Sequence, residues 1–361
     1  MLNAQLKAWL DRLNELVAEQ KAAGVEATPA TVRDSMAAMT RNQVRPGPEL
    51  PWVGDARVEC GETPVPVRLY DPAPDRDTPV CLFFHGGGHM AGSVAVYDPI
   101  CRRLADASGW LVVSVDYRLA PEYPYPFGLE DCHSVARHLW PVLDAEGRRY
   151  QRRLALAGDS GGGTFAATLS ALAQNDQRLP VEKQVLIYPS LDYTLNHPSV
   201  TENGQGYLLE ADRIAWYFQH YFQHGEDRRG ASPLFMPVSN RLPETLVISA
   251  EYCPLRDEAL ATLDGVIARH QARFEGGGVI QRCDDGHFAV LHVHGGADAD
   301  VSAAHGLVEI RNEFVGDELG VGVVERFDHA LDGASLHGFK VRSFDVAVLD
   351  DAFDIHERLE P

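Results

Sequence analysis

Leucines at positions 2, 6, 10, 13 and 16 advance in steps of four and three, which lays one apolar stripe along an α-helix. An amphipathic helix is therefore expected over residues 2 to 22, with Gly24 just past its end. The period changes at Val53. From there to Tyr70, residues such as Val58, Val65, Val67 and Leu69 stand among polar neighbours, and the pattern stops at Asp71, Pro72, Ala73, Pro74 and Asp75. That predicts opening antiparallel strands. Three short, predominantly apolar runs follow, Val80 to Phe84, Trp110 to Val115 and Leu154 to Ala157, with helical stretches such as Ile100 to Ala107 and Cys132 to Leu143 between them. Strands apolar on both faces and alternating with helices predict a parallel sheet. Further strands fit Gln184 to Tyr188 and Thr245 to Ala250. Residues 265 to 318 carry Gly276, Gly277, Gly278, Asp284, Asp285, Gly295, Gly296 and scattered histidines, and they read as an insertion of unassigned structure.

With 361 residues and 45% hydrophobic content, the chain has the material for one large α/β domain. The six cysteines (Cys60, Cys81, Cys101, Cys132, Cys253, Cys283) show no C-x-x-C spacing, and several sit in apolar runs, so buried free thiols are expected. The balance of 32 Lys and Arg against 52 Asp and Glu gives a net charge of −20, which repels phosphate backbones and anionic bilayers. Nucleic acid is thereby set aside as a partner, and the acidity reads as a solvated surface. No apolar run reaches the roughly 18 residues of a membrane span, and the N-terminal residues are charged at helical spacing without a signal-type core. Stable membrane insertion is not expected, and the cytoplasm is the expected location. Oligomeric state is not readable from the chain, and a homodimer stays open.

The chemistry centres on Gly158, Asp159, Ser160, Gly161 and Gly162, a G-x-S-x-G sequence that follows the strand at Leu154 to Ala157 and precedes a helical pattern from Thr164 to Ala173. A strand turning into a helix this sharply leaves no room for side chains beside the nucleophile, hence the glycines. A glycine-rich turn with an incidental serine is the alternative, and the strand-before, helix-after context opposes it. Upstream, Phe84, His85, Gly86, Gly87 and Gly88 end another apolar strand. The N–H groups of Gly87 and Gly88, with that of Gly161, are placed to receive the oxyanion of acyl transfer. His85 is read as ordering this loop. A phosphate cradle is the rival reading, but no G-x-G-x-x-G or G-K-[ST] is present.

Together with the stretch Asp116, Tyr117, Arg118, Leu119, Ala120, Pro121, Glu122, followed by Pro124 and Pro126, these motifs resemble the bacterial hormone-sensitive-lipase-like esterases over roughly residues 50 to 260. The resemblance implies an α/β-hydrolase fold, with a mostly parallel eight-stranded sheet, helices on both faces and a helical cap. It implies a cap segment over residues 1–45, a catalytic domain over 46–361 and a second cap segment near 200–225. Tyr207, Leu208, Leu209, Trp216, Tyr217, Phe218 and Tyr221 could line an acyl pocket there, or simply pack a helix.

The family's D-P-L-x-D-E stretch corresponds to Cys253, Pro254, Leu255, Arg256, Asp257 and Glu258, so a cysteine stands where the first Asp orients the histidine. A thiol cannot replace that carboxylate. Asp257 is expected to take over, with Glu258 and Glu251 as the alternatives. For the base, Leu336, His337, Gly338 and Phe339 match the family's H-G-F, and Gly320 to Phe327 reads as the last strand before it. From Cys253 to His337 is 337 − 253 = 84 positions, whereas the family pattern has about thirty. His287 lies at 287 − 253 = 34 positions. His337 is preferred because long surface insertions cost little free energy and a strand before H-G-F is a structural context. His287, His292, His294 and His305 with Asp298 and Asp300 match no metal-binding motif and read as solvated loop residues.

The expected function is that of a serine carboxylesterase acting on short- to medium-chain acyl esters, with a small-molecule ester as partner and no cofactor. Ser160, His337 and Asp257 are the expected triad, and Gly87, Gly88 and Gly161 the oxyanion hole. Amides, carbamates or lactones would use the same residues, and a ligand-binding pseudo-hydrolase is the alternative outside enzymes. A structural or scaffolding protein would need neither Ser160 nor the glycine loop.

Overall fold

The structure is a computed structural model that describes residues 4–59, 63–271 and 288–293. Two helices, α1 (Ala4–Ala22) and α2 (Pro29–Gln43), precede β1 (Trp52–Val58) and β2 (Val65–Asp71), which pair antiparallel. An alternation follows: β3 (Thr78–Phe84), α3 (Val94–Ser108), β4 (Leu111–Val115), α4 (Phe127–Ala145), β5 (Tyr150–Asp159), α5 (Ser160–Ala173) and β6 (Val181–Ile187). Then come α6 (Pro198–Glu202), α7 (Ala211–Tyr221), α8 (Arg228–Ala231), β7 (Glu244–Ala250), α9 (Arg256–Gln271) and β8 (Phe288–Val293). The eight strands form one sheet in the order β1-β2-β4-β3-β5-β6-β7-β8. β3 to β7 run parallel, while β2 and β8 run against their neighbours.

The apolar run Val80 to Phe84 shows why the sheet is covered on both sides. Successive residues of a strand face opposite ways. Val80, Leu82 and Phe84 pack in one core with Leu139 of α4 and Phe165 of α5, and Cys81 and Phe83 pack in a second with Tyr97 and Cys101 of α3. No position on such a strand meets water, so every residue is apolar. Local signals fix the helix ends: Thr28 accepts from the Thr31 N–H to open α2, Ser93 caps α3, and Gly109 closes α3 at φ +68°.

The N-terminal helices are tied to the loops at the strand ends. Arg33 of α2 donates to the carbonyls of Met90 and Ala120 and pairs with Glu122 at 2.6 Å. Asn14 of α1 donates to the Gly206 carbonyl at 3.1 Å. The helix expected over 2 to 22 and the strands expected before residue 250 all occur, within a few residues of the expected bounds. The stretch 265–318 contributes the last residues of α9 and the strand β8, while the expected last strand, Gly320 to Phe327, lies outside the described residues. Cys81, Cys101 and Cys132 are buried free thiols and Cys253 a partly buried one; Cys60 and Cys283 lie outside the described residues. No helix among the described residues is long and apolar enough to cross a membrane.

Leu82 is fully buried at the centre of the sheet. Leu82→Ala should lower the unfolding free energy by about 2–5 kcal/mol, read as a lower urea midpoint at an unchanged denaturant slope.

Candidate active site

β5 ends at Asp159 and α5 begins at Ser160, whose φ of +50° lies in the left-handed region. A non-glycine residue held there costs on the order of 1–3 kcal/mol and persists only where its surroundings enforce it. Two glycines do so. A Cβ on Gly158 would lie 2.4 Å from the Gly162 carbonyl, and one on Gly162 would lie 1.9 Å from the Phe84 carbonyl oxygen. Backbone therefore presses on backbone, which lifts Ser160 above the sheet end beside the loop that leaves β3. Ser190 N–H donates to the Ser160 carbonyl at 3.0 Å and holds the turn from the far side. The N–H of Gly161 belongs to the first turn of α5, where backbone donors lack intrahelical partners.

The loop after β3 has backbone that suits glycine, with φ +117° at Gly87 and +61° at Gly88. A Cβ on Gly87 would lie 2.2 Å from the Ala91 carbonyl oxygen, and one on Gly88 would lie 2.6 Å from the Tyr217 ring. His85 orders this loop as expected. Its Nδ1 lies 2.8 Å from the Gly86 carbonyl, its ring stacks on Tyr117 at 4.3 Å, and the Tyr117 hydroxyl donates to its carbonyl at 2.6 Å. Burial pushes its pKa down to about 4, so the ring is neutral at ordinary pH.

Asp159, which sequence reasoning passed over, joins the two elements. Its carboxylate accepts from the Gly86 N–H at 2.8 Å and from the Tyr97 hydroxyl at 2.8 Å. The side chain is buried, and desolvation pushes its pKa up to about 6 against the lowering effect of those hydrogen bonds. The signal was in the sequence only as the x of G-x-S-x-G; its partners, 73 and 62 positions away, were not.

A pocket opens over Ser160, Gly88 and Gly161, walled by Leu209, Ile214, Tyr217, Phe218 and Leu255. Of the seven pocket candidates read from the sequence, Leu209, Tyr217 and Phe218 line it. Tyr221 is buried behind them, Leu208 is 53% exposed, Tyr207 stacks on Tyr252, and Trp216 packs against His220. His89, which the sequence reading also missed because it stopped at Gly88, belongs to the wall as well.

The segment expected to supply the acid lies after β7. Cys253 is a free thiol whose Sγ accepts from the Leu255 N–H at 3.4 Å, and burial pushes its pKa up to about 11. Asp257 accepts from the Ser199 N–H at 2.8 Å and from Arg256 Nε at 2.8 Å. Burial opposes ionisation there, but these bonds outweigh it and hold the carboxyl below its ordinary range. Glu258 is fully buried; one oxygen accepts from the Leu191 N–H at 2.6 Å, the other has no partner, and desolvation raises its pKa to about 8. Oε2 of Glu251 is likewise buried without a partner. His337 and His287 lie outside the described residues, as do the side chains of His292, His294 and His305. Phe288, which follows His287 in the chain, pairs with Ala250 at the end of β7.

Residues 81–272 match the family described as alpha/beta hydrolase fold. Ethyl acetate hydrolase of Pseudomonas putida is 38% identical over 203 residues, which cover 55% of this chain and 64% of that protein. Carboxylesterase NlhH of Mycobacterium tuberculosis is 36% identical over 248 residues, 65% of this chain and 74% of that one. Among solved structures, the hyperthermophilic esterase of the archaeon Pyrobaculum calidifontis superposes with a TM-score of 0.64 at 35% identity, covering 74% of this chain and 86% of that one.

The raised pKa of Asp159 has a measurable cost. The folded chain keeps the Asp159 proton up to a pH of about 6, whereas an unfolded Asp releases it near 3.9. Between those values the folded state binds more protons, so rising pH lowers stability, and the penalty is complete above about pH 6. Asp159→Asn lacks this titration. Urea unfolding of both proteins from pH 4 to 7 should show the wild type losing roughly 2 kcal/mol relative to Asp159→Asn.

Proposed function

The chain belongs to the alpha/beta hydrolase fold family, in its hormone-sensitive-lipase-like esterase branch, and on that premise we propose that it hydrolyses carboxylic esters through an acyl-enzyme on Ser160. Membership assigns ester hydrolysis as the class of reaction. The observation that carries the residue assignment is the meeting of Ser160, on its strained turn, with the glycine loop and the first turn of α5 at one pocket. Ser160 Oγ attacks the ester carbonyl as a histidine takes its proton. The N–H groups of Gly87, Gly88 and Gly161 receive the oxyanion, the histidine passes the serine proton to the departing alcohol, and water activated by the same, now neutral, histidine releases the acid.

His337 is the proposed base, on its H-G-F sequence, and His287 is the competitor on spacing. Asp257 is the proposed acid in place of Cys253. Its support is electrostatic: orienting an imidazole and stabilising the imidazolium takes an ionised carboxylate, and Arg256 with the Ser199 N–H favours that form, whereas burial keeps Glu258 protonated near neutral pH. Residues 1–45 and 200–225 form the cap over a catalytic domain of residues 46–361. The contacts of Arg33 and Asn14 and the walls supplied by Leu209, Tyr217 and Phe218 support this division. Those bulky walls close on the serine and favour short- to medium-chain acyl groups.

A ligand-binding pseudo-hydrolase is the second reading, and the thiol at Cys253 is the observation that favours it. p-Nitrophenyl acetate, butyrate and octanoate hydrolysis separates the two. The wild type should turn over acetate and butyrate faster than octanoate. Ser160→Ala should lose at least about 10³-fold in kcat, and one of His337→Ala and His287→Ala should fall with it, which identifies the base. Asp257→Asn should lose about 10²-fold or more by analogy with removal of a tautomer-fixing carboxylate. A folded wild type without Ser160-dependent turnover would instead support the binding role.

A further inference from the structure

His89 directly follows the glycine loop and is 1% exposed. Its φ of +62° is a left-handed value in a residue with a full side chain, a strain that invites a functional explanation. The ring is clamped on three sides, stacking on Tyr221 at 4.1 Å, tilted against Phe165 at 4.8 Å, and hydrogen bonded through Nε2 to the Tyr193 hydroxyl at 2.9 Å. The other nitrogen, Nδ1, is buried and has no hydrogen-bond partner.

The ring edge that carries that nitrogen lies against Gly161, the residue after the nucleophile. A Cβ built on Gly161 would lie 3.1 Å from Cε1 and 3.3 Å from Nδ1 of His89, so the ring edge confronts the residue next to the serine across space that glycine leaves open. His89, Gly161 and Ser160 line the same pocket, whose remaining walls are chiefly apolar. A buried polar atom without a partner carries a desolvation penalty that a substrate atom can relieve. Burial keeps the ring uncharged, so it offers one donor and one acceptor nitrogen, and a hydroxyl can satisfy Nδ1 in either tautomer.

We propose that His89 is a specificity-determining residue of the Ser160 site, whose free ring nitrogen hydrogen bonds to an oxygen carried on the acyl chain at the carbon α or β to the scissile carbonyl. The substrate class is then hydroxyacyl esters, in preference to plain alkanoyl esters of the same shape. This rests on the acyl-transfer reading above and deepens it. The proximity of the ring edge to Gly161, the residue after the nucleophile, is what sets the contact close to the scissile carbonyl rather than at the far end of the acyl chain.

The test compares isosteric ester pairs that differ by hydroxyl against methyl: ethyl lactate with ethyl isobutyrate, and ethyl 3-hydroxybutyrate with ethyl isovalerate. The readout is the ratio of kcat/KM values within each pair, in the wild type and in His89→Phe, His89→Leu and His89→Asn. Comparing ratios between proteins cancels the intrinsic reactivity of each ester. At least one pair should show the hydroxyacyl preference falling about tenfold in His89→Phe and His89→Leu, the size of one hydrogen bond to a buried group. His89→Asn, which keeps a polar atom near the position of Nδ1, should retain much of it. Two apolar variants of different shape guard against one failing to fold, and the Asn variant guards against a purely packing effect. Ratios that stay equal in the wild type and the apolar variants, with turnover still dependent on Ser160, overturn the role of His89 alone. Turnover of none of the esters in a Ser160-dependent way overturns the acyl-transfer reading and this one with it.

Discussion

The site depends on the contact between two stretches of backbone, the end of β3 and the first turn of α5. With 1.9 Å between a would-be Cβ on Gly162 and the Phe84 carbonyl oxygen, any side chain at 162 would push the helix away from the strand. Two consequences follow from this close approach. Ser160 is raised on a turn of positive φ above the sheet, and the glycine loop that continues β3 comes alongside it. Asp159 then fastens the loop to the turn through the Gly86 N–H, which ties the segment carrying the donors to the one carrying the serine. Preorganised donors of this kind are where acyl-transfer enzymes find much of their rate acceleration, because the dipoles need not reorient as charge develops.

Much of this arrangement was legible in the residue pattern. The all-apolar runs at Val80 to Phe84 and Leu154 to Ala157 named the strands that meet at the site, because a strand covered on both faces has no position for a polar residue. The glycines at 87, 88, 158 and 162 marked where backbone must come close or turn left-handed. What the pattern could not carry was pairing across long separations. Tyr97 with Asp159 and His89 with Tyr193 are hydrogen bonded over 62 and 104 positions. Nothing in the period of either segment announces such a partner.

The acid segment shows the same limit in another form. The residue pattern preferred Asp257 over its neighbour Glu258, but it carried nothing of the environment that each carboxylate would meet. The fold separates them by environment: α9 turns Asp257 toward Arg256 and the Ser199 N–H, where it ionises readily, and buries Glu258 against the backbone of Leu191 and Asp192, where it resists ionisation. Two carboxylates one position apart thus acquire opposite tendencies from their surroundings. The cap behaves similarly, since the sequence named Tyr207 to Tyr221 as pocket candidates without telling which of them α7 and its neighbours turn toward the serine.

The central claim is that Ser160 is an activated nucleophile, and covalent modification tests it most directly. The protein would be treated with a fluorophosphonate at neutral pH and the adduct located by peptide mass spectrometry. One phosphonyl group on Ser160, absent from Ser160→Ala and from acid-unfolded protein, is the result the account predicts, since a serine hydroxyl without a base and oxyanion donors is inert to this reagent. A folded wild type that stays unmodified, or that reacts at another serine with Ser160 untouched, would contradict it.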